Sequence, residues 1–304
     1  NIDEFEDAVA TPDGGYLLFG SSQSPVSGNK TGIAYGNSDF WLVKIDSAGN
    51  KLWDKTYGGS NMESGYGLAA LPSGGYVLVG SSGSQPGGNK TAALIGGFED
   101  LWAVRVDNTG NKIWDESYGG TGYDMGFRVV ANTDGIFIAG ASESAPTGVT
   151  KTAIVHGGSD FWLLKLDAFG TRIWDKSYGG TADESAFDIV PVSSGFLLSG
   201  YSISVPSGNK TAPKWGGTDA WVVLTDANGN KLWDESYGGT GISDQRLYQS
   251  IMLSNGDFLA TGYSTSGQTG NKTAVAYGGR DGWYIRISGC PATLPITVQS
   301  SATG

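Results

Sequence analysis

Five lysines, Lys30, Lys90, Lys151, Lys210 and Lys272, each stand directly before a threonine, and four of the five sit in the string Gly-Asn-Lys-Thr. Lysine offers three donors and threonine a donor and acceptors, so the string suits two tasks. It could tie a loop together through its own carbonyls, or it could hold like donors out to a ligand. Five residues after each lysine comes a position that changes while its surroundings do not: Tyr35, Ile95, His156, Trp215 and Tyr277. Flat side chains at a loop apex could stack on a sugar ring or anchor a protein partner, and Trp215 offers the largest face. They could equally fold back over the scaffold. Next come Asp39, Asp100, Asp160, Asp219 and Asp281, each two residues before a tryptophan, which could accept ligand hydroxyls or loop N–H groups. Apart from Ile95, these lysines, apex residues and aspartates are the candidate ligand-binding set. Further acids, Glu63, Asp124, Asp183 and Asp244, follow in the segments between repeats. Asn29, Asn89, Asn209 and Asn271 match the glycosylation sequon, but the match comes from one repeated turn.

Catalysis finds little footing in this inventory. His156 is the only histidine and Cys290 the only cysteine, and no Gly-x-Ser-x-Gly elbow is present, so the usual nucleophile sets are missing. No catalytic residue is assigned, and the chain reads as a non-enzyme. A polysaccharide-cleaving pair of carboxylates stays as an alternative, although near-equal units offer no single distinguished pair. No cofactor and no transition-metal site is expected. Calcium stays open, since Asp, Asn and carbonyl oxygens abound, although no Asp-x-Asp-x-Asp-Gly spacing occurs.

What must position these residues is a repeat. Trp41, Trp102, Trp162, Trp221 and Trp283 recur at spacings of 61, 60, 59 and 62, and Trp53, Trp114, Trp174 and Trp233 form a second ladder. A fixed period in this range signals units that bury their apolar faces on one another. The second unit predicts strands at Gly65–Pro72, Tyr76–Ser81, Leu101–Asp107 and Lys112–Tyr118, separated by glycine-rich turns. Four antiparallel strands per unit predict an all-β fold, a five-bladed β-propeller over residues 1–288. Its repeats run about 1–60, 61–121, 122–181, 182–240 and 241–288. A β-solenoid is the structural rival. The short first strands, such as Ala8-Val9-Ala10, would line a central channel, and residues 289–304 would supply a closing strand, over Leu294–Ser300, or a linker to further modules. Strands alternate direction, so the long second connection, Ser21 to Ser38 in the first unit, shares one face with the crossovers between units.

A net charge of −11 disfavours nucleic acid and anionic membrane as partners, and no run of 18 apolar residues predicts membrane insertion. Strings such as GGSDFWLLKLD at 157–167, GTRIWDKSYGG at 170–180 and SSGFLLSGYS at 193–202 resemble the repeats of secreted surface proteins of Bacteroidota, often exported by the type IX route. The resemblance implies an extracellular or cell-surface location. It transfers no ligand-binding residue. The reading is therefore a non-catalytic, multivalent binding module, lectin-like, meeting a glycan or cell-surface partner through the long loops, as a monomeric unit of a larger chain. The alternative is a structural or protein-docking module of an adhesin.

Overall fold

A computed structural model describes residues 1–288 and, as backbone, residues 298–303. The first repeat holds β1 (Asp3–Ala10), β2 (Tyr16–Ser22), β3 (Asp39–Ile45) and β4 (Lys51–Tyr57). The second holds β5 (Glu63–Ala70), β6 (Tyr76–Ser82), β7 (Asp100–Val106) and β8 (Lys112–Tyr118). The third holds β9 (Asp124–Asn132), β10 (Gly135–Ser142), β11 (Asp160–Leu166) and β12 (Arg172–Tyr178). The fourth holds β13 (Glu184–Val192), β14 (Gly195–Ser202), β15 (Gly216–Asp226) and β16 (Lys231–Tyr237). The last holds β17 (Gly241–Met252), β18 (Phe258–Ser264), β19 (Asp281–Ile287) and β20 (Val298–Thr303).

Each repeat is an antiparallel meander, but the five-bladed β-propeller expected from the period is not formed. Among the described residues the strands make four separate sheets, and none closes on itself. The first three repeats give four-stranded sheets, whereas the fourth and fifth merge into one of eight strands. The merger comes from a lengthened β15, whose first residues pair in parallel with β17 through Gly216 with Gly241 and Thr218 with Asp244. At the equivalent place in the first repeat only an isolated bridge forms, between Ser38 and Met62. A repeat period dictates the meander; it does not dictate how many hydrogen bonds cross to the next one. The central channel expected for the first strands belonged to the propeller and is withdrawn with it. Of the strand expected over Leu294–Ser300, residues 294–297 lie outside the described set; Val298–Thr303 pairs antiparallel with β19.

The chain forms two compact units, one of Asn1–Ile138, Ser142–Ala153 and Leu164–Asp175, the other of Ala139–Ala141, Ile154–Leu163 and Lys176–Gly304. In the first, the continuous apolar run of β3 is buried along nearly its whole length, while β4 alternates and leaves Leu52 exposed. That difference is the one expected between an interior and an edge strand. Phe19, Phe40 and Trp102 form its aromatic centre, with Phe40 at 5.1 Å from Phe19 edge-on and 4.6 Å from Trp102. In the second unit Leu197, Val222, Leu224, Phe258, Trp283 and Ile285 form the core. Tyrosine hydroxyls stitch successive repeats: Tyr57 donates to Gly110 O at 2.6 Å and Tyr118 to Gly170 O at 2.5 Å in the first unit, and Tyr178 to Gly229 O at 2.5 Å in the second.

Candidate functional site

The residues singled out in the long loops are mostly turned inward. Lys30 donates to Ser24 O at 2.5 Å, Lys90 to Ala92 O at 2.5 Å, Lys210 to Ala212 O at 2.7 Å and Lys272 to Ser266 O at 2.6 Å. Lys151 is buried as well. Burial lowers the pKa of Lys30, Lys90, Lys210 and Lys272, and the ammonium groups of Lys30, Lys90 and Lys210 lie 6.0, 5.6 and 5.8 Å from the rings of Trp41, Trp102 and Trp221. A cation over an indole face is an attractive pairing when water is excluded.

The threonine of each motif leads to a residue that pattern reading missed, the aspartate of the Trp-Asp pair. Asp115 accepts the N–H groups of Thr91 and Ala92, both at 2.8 Å, the hydroxyl of Thr91, the indole N–H of Trp102 at 3.2 Å, and the ammonium of Lys112. Asp54 and Asp234 repeat this set with Thr31, Trp41 and Lys51 and with Thr211, Trp221 and Lys231. Asp175 takes Thr152 and Arg172 in the same way. Burial pushes these carboxyls up, but the donors outweigh it, and Asp54, Asp115 and Asp234 are held below the usual carboxylate range. The signal was present: an aspartate directly after the second-ladder tryptophan in each of four repeats, at Asp54, Asp115, Asp175 and Asp234.

The asparagine of the motif clasps the preceding repeat. Asn89 Oδ1 accepts Gly58 N at 2.9 Å while its amide donates to Thr56 O at 2.8 Å. Asn209 grips Gly179 and Ser177, and Asn271 grips Gly238 and Ser236, alike. Both amide functions are thus engaged at these three sequons; Asn29 is exposed. Asn89→Ala removes both bonds and is expected to destabilise the chain by about 1–3 kcal/mol in denaturant unfolding. No change would mean that water replaces the clasp.

The apex residues divide. Tyr35 packs against Gly88 and His156 against Gly208 of the following repeat, and Trp215 donates its indole N–H to Ser236 O at 3.1 Å. Ile95 is half-buried, and Tyr277 stands 68% exposed. Behind them the aspartates accept the apex N–H: Asp39 from Tyr35 at 2.8 Å, Asp100 from Ile95 at 2.5 Å, Asp160 from His156 at 2.7 Å, Asp219 from Trp215 at 2.7 Å and Asp281 from Tyr277 at 2.9 Å. All five are buried. Burial, with the nearby Glu63 carboxylate adding to it, raises Asp39 to about 6; burial, with Asp124 adding to it, raises Asp100 to about 7.

One place on the loop side breaks the repeat. Three residues separate Tyr35 from Asp39, His156 from Asp160 and Trp215 from Asp219, but four separate Ile95 from Asp100. The extra residue is accommodated by Gly97 at φ +59, a conformation open to glycine. It puts Phe98 in solvent, 68% exposed, stacked on Tyr123 with centroids 5.0 Å apart and planes 12° apart. Tyr123, 37% exposed, precedes β9 and is held through its carbonyl by Glu143 N at 2.9 Å. Glu99 and Glu143 border the pair, and Ser81 donates to Glu99 at 2.7 Å. The equivalent of Tyr123 is Met62 at the first junction and Asp183 at the third, so the aromatic pair occurs once among these. Sequence reading passed over Phe98 because it compared residue types at matched positions and did not count the spacing. Among the described residues no group of three or more His, Cys, Asp or Glu is placed to hold a metal ion.

No family model matches the chain. It is similar to regulatory protein FlaEY of Caulobacter vibrioides, 24% identical over 317 residues that cover 94% of this chain and 33% of that protein. The chain thus spans about a third of the length of that relative. A crystal structure of a protein of unknown function from Bacteroides caccae matches with 11% identity and a TM-score of 0.35, over 73% of this chain and 61% of that one.

Proposed function

We propose that the chain is a non-catalytic extracellular binding module that takes a neutral glycan on the Phe98–Tyr123 pair. The observation that carries this reading is the single inserted residue. The repeated lysines, threonines and aspartates of the long loops, with Asn89, Asn209 and Asn271, bond to the scaffold, whereas the one irregularity places two rings in solvent. Stacked aromatic rings give a rigid apolar face with little rotamer freedom to lose, and flanking carboxylates accept sugar hydroxyls. A net charge of −11 favours a neutral over an anionic sugar. The glycan-cleaving alternative is disfavoured because Asp39, Glu63, Asp100 and Asp124, the acids brought close together, are enclosed.

The test is a glycan array followed by affinity measurement on the best hit. Phe98→Ala is expected to weaken binding about tenfold or more, since each factor of ten is about 1.4 kcal/mol and one lost aromatic contact supplies that much. Deleting Phe98 restores the spacing of the other repeats, and should abolish binding without lowering the melting temperature. No neutral glycan bound at high protein density, or unchanged affinity in both variants, would overturn the proposal.

A further inference from the structure

The enclosed acids form a pattern of their own at the junctions between repeats. Asp39 Oδ2 accepts Tyr35 N, but Asp39 Oδ1, fully buried, accepts no hydrogen bond among the described residues. Across from it stands Glu63 of the next repeat, whose oxygens are engaged by Ser82 Oγ at 2.8 Å and Gly59 N at 2.8 Å. Both carboxyl groups reach the point where a Cβ on Gly58 would stand, so glycine is what lets them approach. At the second junction Asp124 takes the place of Glu63, reaches the point where a Cβ on Gly119 would stand, and acts with its charge on Asp100. Asp100 Oδ2 accepts Ile95 N, Asp100 Oδ1 is buried and unmatched, and Asp124 accepts Ser142 Oγ, Ser144 Oγ at 2.6 Å and Gly120 N at 2.9 Å.

A buried carboxylate oxygen without a donor, facing a second carboxylate, is costly unless one of the two carries a proton. Glu63 and Asp124 are surrounded by donors and are the acceptors; the bare oxygens of Asp39 and Asp100 are the atoms left to hold a hydrogen. We infer that Asp39 and Asp100 are protonated in the folded chain and donate to Glu63 and Asp124, so that a shared proton joins one repeat to the next. The second unit carries its own comparison. At its fourth-to-fifth junction Gln245 replaces the acid, and there Asp219 Oδ1 is matched, accepting Gly216 N at 3.1 Å. Where the facing group is a neutral amide, no bare oxygen remains.

The charged groups around each pair do not remove the need for the proton. Lys30 is the cation beside Asp39, and Asp3 and Asp54 share it. Lys90 is the cation beside Asp100, shared with Asp115 and Glu63 and set against Lys112. Both ammonium groups are already bonded to carbonyl oxygens. The sign follows from linkage. A carboxyl raised above 3.8 in the folded state stabilises the fold fully below that value, and the contribution fades as pH rises through about 6 for Asp39 and about 7 for Asp100. Both junctions therefore weaken between mildly acidic and mildly alkaline medium.

Thermal unfolding at about pH 5 and about pH 8 tests this on the whole chain, using the wild type, Glu63→Gln, Asp124→Asn and the double variant. The wild type should melt lower at the higher pH. The double variant should melt higher than the wild type at the higher pH, with a smaller difference between the two conditions. An infrared carboxylic-acid carbonyl band at about pH 5, shifted by ¹³C-aspartate labelling and lost in Asp39→Asn/Asp100→Asn, gives a reading on the wild type that holds even if the acid-site variants fold poorly. A wild-type melting temperature indifferent to pH over this window, variants keeping the full wild-type slope, or no protonated-aspartate band would overturn the inference.

Discussion

Asp115→Ala should lower the unfolding free energy by about 4–5 kcal/mol, the scale seen when one partner of a buried ion pair is removed. Five donors converge on this carboxylate, from Thr91, Ala92, Trp102 and Lys112, and alanine would leave those of Thr91, Ala92 and Trp102 without it at a place where the Asp115 side chain has no exposed surface. Asn should rescue part of the loss, since it retains one acceptor, although its amide would face Lys112. Because the folded-state pKa of Asp115 is depressed, its contribution is complete at neutral pH and fades as the pH falls below the ordinary carboxylate value. Denaturant unfolding checks both points. A loss under about 1 kcal/mol would show that the hub is replaced by water.

Trp102→Ala should cost about 3–5 kcal/mol, the range for emptying a buried large aromatic site. Trp102 is fully buried, packs on Phe40 at 4.6 Å, receives Lys90 over its ring, and donates to Asp115. Since it shares a bond with Asp115, the two substitutions should not add: the double variant should lose less than the sum, by about 0.5–3 kcal/mol. Additivity within experimental error would mean that the indole and the carboxylate act on separate parts of the core.

The elements were legible in the sequence because they rest on local rules. Lys112–Tyr118 is a strand over the range expected, β6 runs one residue further at one end, β7 is shifted by one residue at each end, and β5 is shifted by two. The turn at Asp46–Asn50 is an Asx turn, with Asp46 accepting Ala48 N and Asn50 N. The sheet count was not legible. Whether β15 extends far enough to pair with β17 depends on a few hydrogen bonds at a junction, which no period encodes. At the loops, sequence alone left the lysines with two readings, because a buried donor and an offered donor use the same residue. The partners that decide between them, the carbonyls of Ser24, Ala92, Ala212 and Ser266, lie two to six residues away but belong to the backbone, which carries no residue-type signal. Phe98 needed no structure to be noticed, only a count of the residues between Ile95 and Asp100.

In the proposed binding mode the repeated motif holds the fold and the one irregular loop meets the glycan. Its most direct test is an NMR titration of the wild-type chain with its best-binding neutral glycan, following assigned aromatic ¹³C–¹H signals. The account predicts shifts at Phe98 and Tyr123 that saturate together, and silence at Tyr35, Trp215 and Tyr277. Saturating shifts at those three apex residues, with Phe98 and Tyr123 unmoved, would contradict it.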